Sequence, residues 1–203
     1  MSEALLIVDV QNDFMPGGAL GVKEGDQIVP IINGLIDQFP LIVASQDYHP
    51  RGHVSFASTH GKKVGGTAKV HGKTQELWPD HCVAESQGAE LVKELNAQKI
   101  AAIFKKGTDL HTDSYSAFFD NDHQSETGLD VFLREKGVKT LYLVGLATDF
   151  CVKYSALDAL DLGYEVFIVE DGCRGVFGKQ ETLDLLRNKG AQIISSSEVR
   201  ISC

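Results

Sequence analysis

Clustered Lys and Arg are missing from this chain. Its formal net charge is −9, from 19 basic and 28 acidic residues. Phosphate backbones are held by grouped cations, so no nucleic-acid partner is expected. No apolar stretch approaches the roughly 20 residues of a membrane-spanning helix, so no membrane partner is expected either. The opening MSEALLIVDV lacks a positively charged start and a small-residue cleavage site, and it does not read as a signal peptide. A cytoplasmic location is expected. The four cysteines, Cys82, Cys151, Cys173 and Cys203, form no CxxC pair, which argues against a zinc ribbon or a disulfide framework. In a reducing compartment each would be a free thiol. No GxGxxG follows the first apolar run, which disfavours a dinucleotide-binding domain. No internal repeat or linker is visible, so residues 1–203 are expected to form one domain.

What is present is an alternation of short apolar runs with helical patterns. Residues 4–10, 41–46, 99–104, 140–145, 165–171 and 191–195 read as strands. Helices are expected over about 27–39, 89–97, 129–136, 148–162 and 179–189. Asp26 and Thr148 are plausible N-caps, and Pro30 falls in a first turn, where its missing amide proton costs little. Strands apolar on both faces and alternating with helices imply an α/β fold. Right-handed crossovers make it a three-layer α/β/α doubly wound sandwich around a six-stranded, mainly parallel sheet. Two stretches, 47–87 and 105–128, are too long and irregular to serve only as connections.

In such sheets ligands bind beyond the carboxyl ends of the strands. Asp9 ends the first strand and Asp47 follows the second. Lys105 and Lys106 follow the third, Ala147 to Cys151 the fourth, and Asp171 the fifth. Cys151 falls at a helix start, where unpaired amides and a nearby cation favour a thiolate over the ordinary thiol pKa of about 8.5. The same segment reads equally well as holding a buried structural thiol. Asp9 could take the thiol proton, or it could cap a turn. Lys106 could keep Asp9 ionised, whereas Lys105 reads as a surface lysine. Asp47 and His49 turn the same way along an extended segment. With His81 as a distant third ligand they suit a divalent transition metal. His53, His60, His71, His111 and His123 read as exposed loop histidines. His81, beside Trp78 and Pro79, reads as packed.

The segments DVQNDF, DYHPRGHVSFA, ELWPDHCV, FKKGTDLHTDSYSAFFDN and VGLATDFCVKYSALDAL together resemble the nicotinamidases, within the isochorismatase-like cysteine hydrolase superfamily. The likeness runs from about Ala4 to Val176. It implies hydrolysis of nicotinamide to nicotinic acid and ammonia as part of NAD salvage, with pyrazinamide as a related amide. It implies Asp9 as general acid/base, Lys106 as catalytic lysine and Cys151 as nucleophile, with the amides of Ala147 and Cys151 as the oxyanion hole. A cis peptide before Ala147 is implied too. Asp47, His49 and His81 match the metal ligands, and His53 aligns with a position that ligates in some members. Phe14, Leu20, Trp78, Tyr115 and Phe150 match the walls around the pyridine ring. The cofactor implied is one divalent transition metal ion, zinc or iron, with manganese also compatible. A homo-oligomer is compatible with all of this. Rival readings are a sister hydrolase of the superfamily, a metallohydrolase with a passive Cys151, and a binding domain without turnover.

Overall fold

A computed structural model describes residues 2–201; Cys203, expected as a free thiol, lies outside them. The strand β1 (Glu3–Val8) is buried along its whole length. Alternate side chains enter opposite cores, as the period of two requires. Ala4, Leu6 and Val8 pack on one face of the sheet, and Leu5 and Ile7 on the other. Five more strands flank it: β2 (Ile42–Asp47), β5 (Ala102–Lys106), β6 (Thr140–Leu146), β7 (Glu165–Arg174) and β8 (Gln192–Ile194), with β3 (Thr67–Val70) and β4 (Lys73–Glu76) forming a separate antiparallel hairpin. The large sheet has the order β5-β2-β1-β6-β7-β8, and all five of its pairings are parallel.

The helix α1 (Ile28–Ile36) buries Ile28, Val29, Ile32, Leu35 and Ile36, a single helical stripe, against the core containing Leu5 and Ile7. The opposite face is covered by α2 (Leu129–Glu135), α3 (Lys153–Asp161) and α4 (Gln180–Asn188), through Leu129, Leu133, Ala156, Ala159, Leu183 and Leu186. Two helical layers around one parallel sheet give the expected doubly wound sandwich. Among the described residues no helix is long and apolar enough to cross a membrane.

Several local expectations fail for identifiable reasons. Residues 89–97 are not a helix. Their backbone groups are taken by other elements: Glu90 O accepts from Asn12 N, and Val92 N donates to Val10 O. Glu94 O accepts from the Asn33 side chain. Val92 and Leu95 are core residues at helical spacing without a helix. Asp26 does not cap α1; it lies in a 3-10 turn over Gly25–Gln27 that runs into the helix. Thr148 caps nothing with its side chain, and the chain enters α3 through a π-helical turn over Thr148–Val152. The strand β7 runs on to Arg174. Asp171 stays away from the site, because its carboxylate accepts both the amide and the hydroxyl of Ser196.

Candidate active site

The strand order reverses direction between β1 and β6, and the crevice beyond their carboxyl ends holds the chemistry. Val8 and Gly145 are paired there. Asp9 follows with a left-handed backbone (φ 49°), and the peptide between Leu146 and Ala147 is cis, as the resemblance implies. On the other flank Asp47 and Lys106 are register partners at the ends of β2 and β5. Three neighbouring strand ends and the turn after β6 therefore converge.

Lys106 is the hub, and it is fully buried. Its ammonium lies 3.0 Å from Asp9 Oδ2 and 2.5 Å from Asp47 Oδ1. It also donates to Ser114 O at 2.9 Å and sits 3.4 Å from Cys151 Sγ. Burial works against its charge, but Asp47 and Asp9 outweigh that and lift its pKa well above the ordinary lysine range. Asp9 accepts from the Ser45 hydroxyl at 2.6 Å. Burial raises its carboxyl pKa; Lys106 opposes this, and the Asp47 charge adds to it. For Asp47, burial pushes upward, but Lys106 and His49 win and hold it well below the carboxylate range.

Cys151 departs from expectation in its charge state. The sequence pointed to a lowered thiol pKa. Instead burial pushes the thiol well up; Lys106 opposes, and the Asp9 and Asp47 carboxylates add to the rise. The resting sulfur therefore keeps its proton, with Asp9 and Lys106 beside it.

Asp47, His49 and His81 meet as expected. Asp47 Oδ2 lies 3.5 Å from His49 Nε2 and 3.8 Å from His81 Nε2. Each imidazole spends its other nitrogen on a backbone carbonyl: Nδ1 of His49 on Gly107 O at 2.9 Å, and Nδ1 of His81 on Pro79 O at 2.7 Å. Both Nε2 lone pairs are thereby turned toward the same carboxylate oxygen, the outer-shell arrangement of ligating histidines. The three residues form a buried group with ligand atoms close enough to share one cation.

His53 is not the exposed histidine that the loop suggested. It is completely buried and stacks on His49 at 4.1 Å between ring centroids. It groups with His49 and Asp113 rather than with Asp47 and His81. Burial lowers its pKa to about 4. His71, His111 and His123 are exposed and His60 half-buried. Lys105 is a surface lysine lying over the Tyr48 ring.

A narrow cavity of about 30 Å³ lies over these groups. All five expected wall residues, Phe14, Leu20, Trp78, Tyr115 and Phe150, line it, together with Ala147, Cys151 and the Asp47, His49 and His81 group. Trp78 stands edge-on to Phe150 at 4.9 Å, and its indole N–H donates to Tyr115 Oη at 3.3 Å. Asp9 and Lys106 lie behind the sulfur rather than on the wall. Val22, Asp113 and Val176 also line the cavity, while Ser45 holds Asp9 and the Ser114 carbonyl holds the hub. None of these five carried a motif signal of its own, although Asp113 and Ser114 lie inside the DSYSAF segment.

A comparison with known protein families matches residues 3–198 to the isochorismatase domain. The chain belongs to the isochorismatase family. Within that family it is 51% identical over 177 residues to the nicotinamidase of Escherichia coli, covering 85% of this chain and 83% of that protein. Among solved structures it resembles a nicotinamidase/pyrazinamidase of Acinetobacter baumanii, with 41% identity, a TM-score of 0.93 and 97% of both chains covered. It also resembles the pyrazinamidase of Pyrococcus horikoshii in complex with zinc, with 39% identity, a TM-score of 0.79, and 96% of this chain and 99% of that one covered. The isochorismatase-family sandwich is thus common to all three, and the site lies at its switch point.

Proposed function

We propose that this chain hydrolyses the amide of nicotinamide to nicotinic acid and ammonia through a thioester on Cys151, and that pyrazinamide, similar in shape, is also turned over. The observation that carries this reading is the meeting of the Cys151 sulfur, the Lys106 ammonium and the Asp9 carboxylate beside a cavity of aromatic walls. The names of the relatives agree with it.

Asp47, His49 and His81 fit a divalent metal: one buried carboxylate oxygen faces two imidazole nitrogens whose tautomers are fixed by backbone carbonyls. Zinc is the leading candidate, since a pyrazinamidase neighbour is in complex with it, and such ligands equally accept iron and manganese. When bound, the cation would hold the pyridine nitrogen and so orient the amide.

The remaining work falls to the chain. Asp9 takes the proton of Cys151, and Lys106 balances the charge as the sulfur attacks the carbonyl carbon. The amides of Ala147 and Cys151 receive the developing oxyanion; one such donor is worth about 3–4 kcal/mol of barrier. Asp9 returns the proton to the leaving ammonia. It then takes a proton from water, which attacks the thioester and frees nicotinic acid and the thiol. A raised Asp9 pKa suits a group that must both accept and give up a proton. The product then feeds pyridine nucleotide salvage. The free cysteines suit a reducing compartment such as the cytoplasm.

The test is an ammonia assay on the purified protein with nicotinamide, with and without a chelator, beside Cys151→Ala. Release that stops with chelator and in the variant is expected. Full activity in Cys151→Ala would leave the sulfur no role and favour attack by water alone.

A further inference from the structure

Asp149 stands two residues before Cys151, and the chemistry above does not use it. Its side chain is buried, with only 9% of the residue exposed. Its two oxygens reach across the cavity rim and each accepts a backbone amide: Val176 N to Oδ1 at 2.9 Å, and Phe177 N to Oδ2 at 2.8 Å. Val176 forms part of the cavity wall. Phe177 stands edge-on to Phe150, another wall residue, at 6.0 Å, yet it is 82% exposed. Glycines bracket the pair. A side chain on Gly175 would press on the Gly178 carbonyl, and Gly178 has φ +132°, so the turn is tight and needs both.

The opposite wall is fixed differently. Phe14 and Val22 are buried, and the Leu20 and Val22 amides bond to the Asp13 and Phe14 carbonyls. The Trp78 amide is tied to Ser55 O. Over 175–178 the described hydrogen-bond anchorage is the Asp149 carboxylate, beside the packing of the half-buried Val176 on the core. The groups below are nearly sealed from water: Cys151 is 7% exposed, His81 4% and His49 1%. The cavity above them holds about 30 Å³, roughly the share of one water in the liquid, so a ring-sized amide enters only if a wall moves. The segment with the fewest buried apolar contacts opens at the least cost.

We propose that residues Gly175–Gly178 form a lid over the cavity, and that Asp149 is the positioning residue that latches this lid to the turn carrying Cys151. Opening breaks the two amide–carboxylate bonds and admits substrate. Closing remakes them and sets the Val176 wall against the ring. The substrate in this proposal rests on the nicotinamide reading; the lid does not.

The experiment uses the metal-loaded full chain. Asp149→Asn keeps the shape but turns an NH2 toward one of the two amide donors. KM for nicotinamide is expected to rise about tenfold, the equivalent of one charge-assisted hydrogen bond. The value of kcat should stay within about threefold, since the reacting groups are untouched. Iodoacetamide should alkylate Cys151 faster in this variant, with Cys82 and Cys173 unchanged. Phe177→Ala removes an exposed ring without touching the latch. It should also raise KM, and in the double variant the two effects should combine to less than their product. A fall in kcat at unchanged KM, an unaltered alkylation rate, or strictly multiplicative effects would overturn the latch. If Asp149→Asn does not fold, Phe177→Ala decides alone: unchanged KM and labelling sink the lid. If the unaltered chain releases no ammonia from nicotinamide, the functional reading fails, and the alkylation rates still decide the lid.

Discussion

Two carboxylates and one ammonium share a buried site at the tips of β1, β2 and β5. With both aspartates ionised that cluster carries one uncompensated negative charge, and burying such a charge is costly. The cost falls on Asp9, whose pKa is raised first by burial, against Lys106. The folded chain thus holds the Asp9 proton more tightly than the unfolded chain does. Asp9 contributes stability that is complete below its ordinary value of 3.8 and is lost as pH rises through the raised value. Asp9→Asn is therefore expected to abolish ammonia release, by about a thousandfold or more, while leaving the melting temperature at pH 7 equal or higher. A melting temperature several degrees lower would show that the carboxylate supports the fold instead. The activity of the unaltered chain, measured at saturating metal, should fall as the medium is acidified through a pKa above 3.8, because the base becomes protonated.

The thiols allow a second residue-level test. Burial raises the three that lie among the described residues: Cys82 and Cys151 well above the usual range, and Cys173 to about 12. Only Cys151 of these lines the cavity and has a base beside it. Peptide mapping after brief iodoacetamide treatment is expected to find label on Cys151 and none on the other two until the chain is denatured. Equal labelling of all three would contradict the site. Chemistry-bearing residues were legible in the sequence because strand ends and motif spacing mark them. The charge state of Cys151 was not, since a helix start suggests a lowered pKa and burial, which local sequence does not display, raises it.

At the scale of elements, two glycines set how closely segments approach. Gly145 faces Val8 across the β1–β6 pairing with φ +121°, and a methyl there would run into the Val8 carbonyl. Gly145→Ala should destabilise the chain by about 3 kcal/mol or more, since both partners are backbone and neither can yield. Chemical denaturation measures this, and an unchanged midpoint would deny the close approach. Gly107, with φ +62°, lets its own carbonyl receive His49 Nδ1, and a side chain there would strike the His49 ring. Gly107→Ala should therefore weaken metal binding by roughly 10–100-fold, as loss of an outer-shell partner does, in a chelator competition. Strands and crossover helices were readable because apolar runs alternate with stripes at helical period. The segment 89–97 reads as a helix because Val92 and Leu95 keep helical spacing, while the backbone groups of Glu90, Val92 and Glu94 are spent on Asn12, Val10 and Asn33. The β3–β4 hairpin is not legible because KTQE has no apolar residue and the alternation in TAKV spans only four positions.

For the whole molecule the decisive feature is the switch in strand order, which opens a crevice between β1 and β6 and leaves the long segment after β2 to close it. Asp47 ends β2, while His49 and His81 lie on that segment, 32 positions apart. A cation held by all three would therefore fasten irregular chain to the sheet. Binding to the folded state alone stabilises it by about 2.7 kcal/mol when the free ion is a hundredfold above its dissociation constant. For a chain of this size that corresponds to a rise of roughly 5–10 °C in melting temperature. Zinc added to chelated protein is expected to restore such a shift, and protease cuts within 48–87 should slow in parallel. His81→Ala should remove the shift while leaving the metal-free melting temperature within a few degrees, because the ring's one described hydrogen bond is to a neighbouring carbonyl. An unaltered zinc-dependent shift in that variant would mean that the cation is held elsewhere. The assignment of Asp47, His49 and His81 as ligands would then have to be abandoned, even if the sulfur chemistry survived.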